Sequence, residues 1–428
     1  MPALGKPFNI YESSVRTYST SLAPESIKNK GSNFYEWFGG FTDAEGTFYF
    51  KKQNNLHYVF IYQITLHVDD VDVLTLIKDT LGLGKITISK SVCAYTINKQ
   101  EEIKEIIKIF TKYPLNSTKR LNFLAFKEAF ELYINSKAKN TNLEGLELIQ
   151  RLEFIKSGMN SKRSDFQLSE EHIYLITPNW LLGFIEGEGS FYIITKDFQL
   201  ALDIGQSAVD SALMVAIQDF FNKLPGENLS KFKDVNLVSL NQKKQQKENH
   251  RYTYKLSIAN TAYIRNVLIP FFDSLTWYSK KQKDYQDWVT ILKLKDMGLQ
   301  YKDEGVSLIK LINSQMNSRR LSTAGKLVVD RALLDAEIKR MLQGPSNYKT
   351  IEGRTWIISK NRYLVTGVPQ IIQLIDSEGN ILNTFDSQTA CAKFLNTNQS
   401  VVSNRLWKNR SFTFDEKLCY LKTIDKTT

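Results

Sequence analysis

Trp37-Phe38-Gly39-Gly40-Phe41-Thr42-Asp43-Ala44-Glu45-Gly46-Thr47-Phe48-Tyr49 returns later in the chain as Trp180-Leu181-Leu182-Gly183-Phe184-Ile185-Glu186-Gly187-Glu188-Gly189-Ser190-Phe191-Tyr192. The offset is constant: 188 − 45 = 143 and 183 − 40 = 143. Self-similarity at a fixed distance marks a duplicated unit. Each copy reads as a helix that ends in a turn and enters a strand. Asn33 is placed to cap the first helix, with Glu36 as its capping-box partner. Thr177 is placed to cap the second, with Pro178 at the first helical position. Gly inside a helix costs about 1 kcal/mol against Ala, so Gly39, Gly40 and Gly183 need a reason. A residue without Cβ lets two backbones touch. Two motif helices packed on each other would carry Glu45 and Glu188 out side by side.

That placement is electrostatically poor, because helix C-termini already hold partial negative charge. Divalent metal removes the difficulty. Mg²⁺ between two carboxylates and nearby main-chain carbonyls makes a hard-oxygen site, and such a site activates water for phosphodiester cleavage.

The rest of the chain supports a duplication. After Gly46, Phe48 and Phe50 point one way and Thr47, Tyr49, Lys51 and Gln53 the other. Tyr58 to Leu66 reads as the partner strand, with Gln63 and Thr65 polar-facing. A helix over 69–81, a hairpin over 85–98 and a helix over 101–110 follow, and Tyr113-Pro114 breaks the last. In the second half Ser190, Tyr192, Ile194 and Lys196 alternate with Phe191, Ile193 and Thr195. Gln199, Ala201, Asp203 and Gly205 oppose Leu200, Leu202 and Ile204. Residues 210–221 are helical and 251–258 form a late strand. Lys243, Lys244 and Lys247 read as a solvated loop run. Tyr113-Pro114-Leu115 with Lys119 matches Ile269-Pro270-Phe271 with Lys281, and Met159-Asn160-Ser161-Lys162-Arg163 matches Met316-Asn317-Ser318-Arg319-Arg320. His67 and Gln206 take matching places at the ends of second strands. Asp43 and Glu186, among apolar neighbours, read as structural acids.

A length of 428 residues favours about two to three domains. The net charge of +11 implies an anionic partner, most simply nucleic acid. Cys93, Cys391 and Cys419 are too scattered for a disulfide framework or a zinc pattern. No apolar run approaches a membrane span. Residues 1–30 mix Lys6, Arg16, Lys28 and Lys30 with Glu12 and Glu25, a poor transit peptide. Abundant Lys, Asn, Ile, Tyr and Phe beside only 9 Pro fits an AT-rich, organelle-encoded gene.

These motifs resemble the LAGLIDADG family of homing endonucleases in its single-chain, two-motif form. Phe38 to Gly46 and Leu181 to Gly189 match the nine-residue motif. The resemblance implies an α+β fold of two pseudo-symmetric αββαββα halves, each with an antiparallel sheet lying in a DNA major groove. It implies metal-binding acids at Glu45 and Glu188, with the carbonyls of Ala44 and Gly187 lent to two or more Mg²⁺ ions. Lys119 and Lys281 match the region that supplies a basic residue near the cleaved phosphates, and Gln206 fits a residue that orients water. Thr47, Tyr49, Lys51, Gln53, Gln63, Thr65 and Asn98 would contact one half-site. Ser190, Tyr192, Ile194, Lys196, Gln199, Asp203, Thr253 and Lys255 would contact the other.

The domains expected are an extension over 1–32, half-domains over 33–165 and 166–320, a linker or associated region over 321–369, and a small module over 370–428. Residues 371–382 read as a hairpin with a Gly-Asn turn. Residues 387–395 and 398–406 read as two helices capped by Ser387 and Asn398, with Ala390, Ala392, Phe394 and Leu395 packed on Val401 and Leu406. This resembles the modular helix-turn-helix repeat attached to homing nucleases. It would place Gln399, Ser400, Ser403, Asn404, Arg405 and Lys408 in a major groove. The expected activity is Mg²⁺-dependent double-strand cleavage of a long pseudo-palindromic DNA site by a monomer encoded in a mitochondrial intron. An RNA maturase acting on group I intron RNA stays open as the alternative, since basic charge and polar sheet faces serve either role.

Overall fold

The structure, a computed structural model, describes residues 27–54, 57–139, 142–226, 237–243, 251–324, 329–351, 354–364 and 371–424. The chain divides into two compact units, Met1–Pro345 and Ser346–Thr428. In the first, helix α1 (Ile27–Glu45) leads into strands β1 (Gly46–Asn54) and β2 (His57–His67), helix α2 (Val71–Leu81), strands β3 (Lys85–Ser89) and β4 (Val92–Ile97), and helices α3 (Gln100–Lys112), α4 (Lys119–Lys139) and α5 (Asn142–Ser157). The second half repeats the order: α6 (Pro178–Glu188), β5 (Gly189–Ile194), β6 (Gln199–Ser207), α7 (Ser211–Asn222), β7 (Ser239–Lys243) and β8 (Thr253–Ile258). A helical run follows, made of α8 (Thr261–Tyr263), a π-helical turn Ile264–Leu268 and α9 (Ile269–Asp273), and then α10 (Lys281–Asp296), α11 (Asp303–Asn313) and α12 (Arg331–Gln343). The sheets have the matching orders β1-β2-β4-β3 and β5-β6-β8-β7, antiparallel throughout. The α+β class and the two pseudo-symmetric halves are therefore as expected.

The core sits where α1 and α6 cross between the halves. A Cβ on Gly40 would lie 1.9 Å from the Trp180 carbonyl oxygen, and one on Gly183 would lie 2.1 Å from that of Trp37. The helices touch backbone to backbone, which explains two of the three costly glycines. Trp37 stacks on Phe41 at 4.9 Å and Trp180 on Phe184 at 5.1 Å, the same i, i+4 pair in each helix. Phe48, Tyr62, Phe110 and Phe126 fill the first half, and Phe191, Leu202, Phe272 and Trp288 the second; all are fully buried. Burying each such side chain is worth about 1.5–3 kcal/mol.

Several local readings change. α1 begins at Ile27, so Asn33 lies inside it rather than capping it, and the helix reaches back into the extension expected over 1–32. Glu36 does not box its own helix. It accepts from Thr177 Oγ1 at 2.8 Å and Asn179 Nδ2 at 3.3 Å, at the start of α6. Thr177 caps α6 through Trp180 N–H, with Pro178 in place. Lys196 lies in the turn after β5, Asn98 one residue past β4, and Lys243 ends β7 rather than standing in a loop. Lys244 and Lys247 lie outside the described residues. Pro270 sits in the first turn of α9, within a helical run, so it does not match the break at Pro114.

The second unit, by itself, holds a small sheet of β9 (Tyr348–Ile351), β10 (Arg354–Ile357) and β11 (Arg362–Tyr363). A larger one has the order β13-β12-β15-β14, from β12 (Ile371–Asp376), β13 (Ile381–Phe385), β14 (Phe412–Phe414) and β15 (Lys417–Ile424). Helices α13 (Gln388–Phe394) and α14 (Gln399–Lys408) pack on it, capped by Ser387 and Asn398 as expected. Ala392, Leu395 and Leu406 pack as expected, and the remaining packing residues differ. Cys391, Ala392 and Val402 are buried with Ile372, Leu374, Phe385, Cys419 and Leu421, whereas Ala390 is exposed and Phe394 is 47% exposed. The β12–β13 hairpin of this sheet was expected, whereas β14 and β15 were not, and Cys391 and Val402 join Ala392 in facing the core. All three cysteines are buried and free.

Gly40→Ala and Gly183→Ala should each cost at least about 2 kcal/mol by overpacking. Gly39→Ala, whose Cβ would meet Trp180 at an ordinary 3.6 Å, should stabilise by roughly 0.5–1 kcal/mol. Urea denaturation of the three variants checks this contrast.

Candidate active site

The crossing of α1 and α6 brings their C-terminal ends together. A Cβ on Gly187 would lie 2.4 Å from Ala44 Cβ and 3.2 Å from Glu45 Oε1, so the first motif acid abuts the residue preceding the second. Burial raises the pKa of the Glu45 carboxyl, and the Glu188 carboxylate adds repulsion. Burial also raises that of Glu188, against a hydrogen bond from Gln206. Lys119 donates to the carbonyl oxygens of Thr42 at 2.9 Å and Ala44 at 3.0 Å, placing an ammonium group at the negative end of the helix dipole. Burial lowers the Lys119 pKa, and Asp43, Glu45, Glu188 and Asp210 pull it back up. Lys281 acts electrostatically on both glutamates as well.

Among the described residues no group of three or more His, Cys, Asp or Glu side chains forms a metal cluster. The oxygen set here is two carboxylates plus helix-end carbonyls. Two acids whose charge is disfavoured by burial, one of them repelled by the other, fit a hard divalent cation. The Ala44 carbonyl already receives Lys119, and a carbonyl oxygen has a second lone pair to offer.

Asp43 and Glu186 are buried and hold the loops that carry the two lysines. Asp43 accepts from Asn116 N–H at 2.8 Å, Ser117 N–H at 3.0 Å, Ser117 Oγ and, across the halves, Trp180 Nε1 at 2.9 Å. Glu186 accepts from Tyr278 N–H at 3.0 Å, Ser279 N–H at 2.6 Å and, across the halves, Trp37 Nε1 at 3.2 Å. Ser117 Oγ and Ser279 Oγ then receive the N–H of Lys119 and of Lys281, each at 3.2 Å. The true counterpart of the 116–119 loop is thus 278–281, and the two lysines do correspond.

Of the sheet residues singled out in the sequence, Thr47, Tyr49, Lys51 and Gln53 share the outer face of β1, and Gln63 and Thr65 that of β2. Gln63 is tied to Tyr49 Oη and Thr96 Oγ1 at 3.3 and 3.2 Å. In the second half Ser190, Tyr192 and Ile194 face outward with Gln199 and Asp203 on β6 and Thr253 and Lys255 on β8. Asp203 is ion-paired with Lys255, and Lys255 lies 5.6 Å over the Tyr192 ring. The register adds Lys85, Thr87 and Thr96 to the first face, and Ser239, Asn241 and Ser257 to the second. Polar alternation in 85–89 and 239–243 was the available signal. In α14, Gln399, Ser400, Ser403 and Asn404 are exposed, and Arg405 lies 3.9 Å over the Phe412 ring.

The matching of His67 with Gln206 does not hold. Gly46 pairs with Ile64 and Gly189 with Ile204, so Gln206 corresponds to Leu66. His67 is occupied structurally: Nδ1 accepts from Asp69 N–H at 3.2 Å and Nε2 meets Thr323 Oγ1 at 2.9 Å. An apolar cavity-facing Leu66 beside Glu45 and a Gln beside Glu188 make the two centres chemically unequal.

A family described as LAGLIDADG endonuclease matches residues 38–130 and 181–292. The chain is 28% identical over 305 residues, 67% of its length and 60% of the relative's, to "Uncharacterized mitochondrial protein RF1" of Saccharomyces cerevisiae. It is 31% identical over 170 residues, 38% of its length and 42% of the relative's, to "Probable intron-encoded endonuclease Cox1-I1b" of Schizosaccharomyces pombe. It thus spans 60% and 42% of the length of these two curated relatives. Among solved structures it resembles the LAGLIDADG homing endonuclease I-GzeII in complex with its DNA target, with 26% identity and a TM-score of 0.56. The match covers 67% of this chain and 99% of that one.

Burial holds the Glu186 carboxyl at about 7, from an ordinary 4.5, against four opposing hydrogen bonds. An acid so raised binds more protons folded than unfolded, so its contribution to stability falls as pH climbs from 4.5 towards 7. Melting in metal-free buffer should show Glu186→Gln gaining on the wild type between pH 5 and pH 8. A gap that does not move with pH would refute the assignment.

Proposed function

From a chain that carries two LAGLIDADG endonuclease regions, residues 38–130 and 181–292, we propose a site-specific homing endonuclease that cleaves both strands of a DNA duplex. The observation that carries this reading is the meeting of Glu45 with the second motif at the crossing of α1 and α6. Glu45 and Glu188, with the carbonyls of Ala44 and Gly187, would hold divalent metal, Mg²⁺ by preference. The bound metal supplies Lewis-acid stabilisation of the attacked phosphate and a more acidic water. Water attacks phosphorus in line, the P–O3′ bond breaks, and 5′-phosphate and 3′-hydroxyl ends remain. Lys119 and Lys281 bring positive charge to the developing negative charge. Gln206 orients Glu188 and the nearby water.

The outward faces of β1–β4 and β5–β8 read base edges of two unequal half-sites in the major groove. The half-sites differ because the faces do: Lys51 and Gln53 stand on β1, whereas the Asp203–Lys255 pair stands in the middle of the second sheet. The target is long and pseudo-palindromic, and the protein acts on it as a monomer. Relatives named as mitochondrial and intron-encoded support an organelle-encoded protein that serves intron mobility. The unit Ser346–Thr428 adds DNA affinity through α14.

Glu45→Gln and Glu188→Gln should each abolish double-strand cleavage of targets recovered from a pooled DNA library with Mg²⁺, while gel-shift affinity stays within a few-fold. Cleavage at the wild-type rate by both variants would remove the metal site. A chain ending at Pro345 should still cut the same site but bind it at least tenfold more weakly; unchanged affinity would deny the second unit its role.

A further inference from the structure

We propose that Asp70 and Asp210 are positioning residues, each gripping the lysine-bearing loop of the opposite half; the proposal rests on the nuclease reading above. Both stand at the N-cap of the helix after the second strand, Asp70 before α2 and Asp210 before α7. Asp is a favoured cap there because its carboxylate can accept the first free N–H groups. Neither does so: both positions lack a side-chain cap bond. Asp210 instead accepts from Thr118 N–H at 2.7 Å and Thr118 Oγ1 at 3.1 Å, 92 residues away in the other half. Asp70 is ion-paired at 2.8 Å with Lys280. Thr118 and Lys280 are the residues immediately before Lys119 and Lys281.

Each loop is therefore held from two sides. Asp43 or Glu186 grips it from its own half, and Asp210 or Asp70 grips it from across. A side chain that must meet a phosphate within about half an ångström needs such support. The turn bearing Asp70 is itself pinned, since Asp69 accepts from Ser322 N–H at 2.7 Å and Ser322 Oγ at 2.6 Å. The two grips are unequal. Asp210 is 8% exposed and takes two short bonds from a compact Thr. The Asp70–Lys280 pair is half-buried, runs through a long flexible side chain, and lines the cavity beside Glu45 and Lys281. Positioning at Lys281 thus depends on a charge pair, and positioning at Lys119 on neutral donors.

The test is single-turnover cleavage, by the full-length chain with Mg²⁺, of a supercoiled plasmid bearing a site recovered from a randomised DNA library, with each strand's rate followed separately. Asp70→Asn and Lys280→Met should each slow one strand at least tenfold and leave the other within threefold, so that nicked circles accumulate. Asp210→Asn should slow the opposite strand. Lys280→Arg, which keeps the pair, should stay within threefold on both strands, and DNA affinity should stay within twofold throughout. Lys280→Met carries the test for the first grip if Asp70→Asn fails to fold. Variants that slow both strands equally, or neither, overturn the positioning roles alone. A wild-type chain that cuts no member of the library removes the nuclease reading, and this proposal with it.

Discussion

Two helices can cross with their backbones in contact only where the crossing residues carry no Cβ. Gly40 and Gly183 meet that condition where α1 and α6 cross, each facing the carbonyl of the other helix's Trp. The close approach lets Trp37 and Trp180 reach across to the partner helix, where their indole N–H groups bond Glu186 and Asp43. Those two acids in turn collect the N–H groups of the lysine loops. Without the crossing, two buried carboxylates would lose partners, and leaving a buried charge uncompensated costs several kcal/mol.

The same crossing sets two carboxylates in electrostatically poor surroundings. Glu45 and Glu188 stand partly buried at helix ends of their own sign, and burial also holds the pKa of nearby Lys119 down. Nothing in an apolar helix pair calls for that arrangement. Under the proposed function its free-energy cost would be offset when cations and phosphate arrive together, which ties the poor electrostatics of the isolated chain to that chemistry.

Duplication has not kept the halves identical. Gln206 faces Glu188 where Leu66 stands by Glu45. Thr118 and Lys280 occupy one loop position with a neutral donor and a charge. The sheet faces diverge in the same way, with an exposed Lys51 on one side and a paired Asp203 and Lys255 on the other. A homodimer must present one face twice; a fused pair can present two, and these substitutions use that freedom.

Local pattern was legible in the chain. Apolar alternation around Phe48 and Phe191 marked the strands, the glycines marked the crossing, and the constant offset marked two halves whose elements then fell into one order. Signals of that kind are carried by neighbours along the chain, where period and side-chain type suffice. The start of α1, the partner of Glu36, the mismatch of His67 with Gln206, and the burial of Cys391 and Val402 in α13 and α14 were not legible. The last three depend on groups distant in sequence: Thr177 for Glu36, the strand registers for His67 and Gln206, the β15 strand for Cys391 and Val402. Asp70 and Asp210 are the sharpest case. By sequence they are ordinary helix caps, and only the folded chain brings Lys280 and Thr118 within reach and turns both carboxylates away from their own helices. Sequence by itself settled which residues repeat and which segments bend or extend, because those follow from short-range sterics and burial. Tertiary structure alone decided which polar group answers which, because a hydrogen bond is specified by position in space and the chain can bring many candidates to one donor.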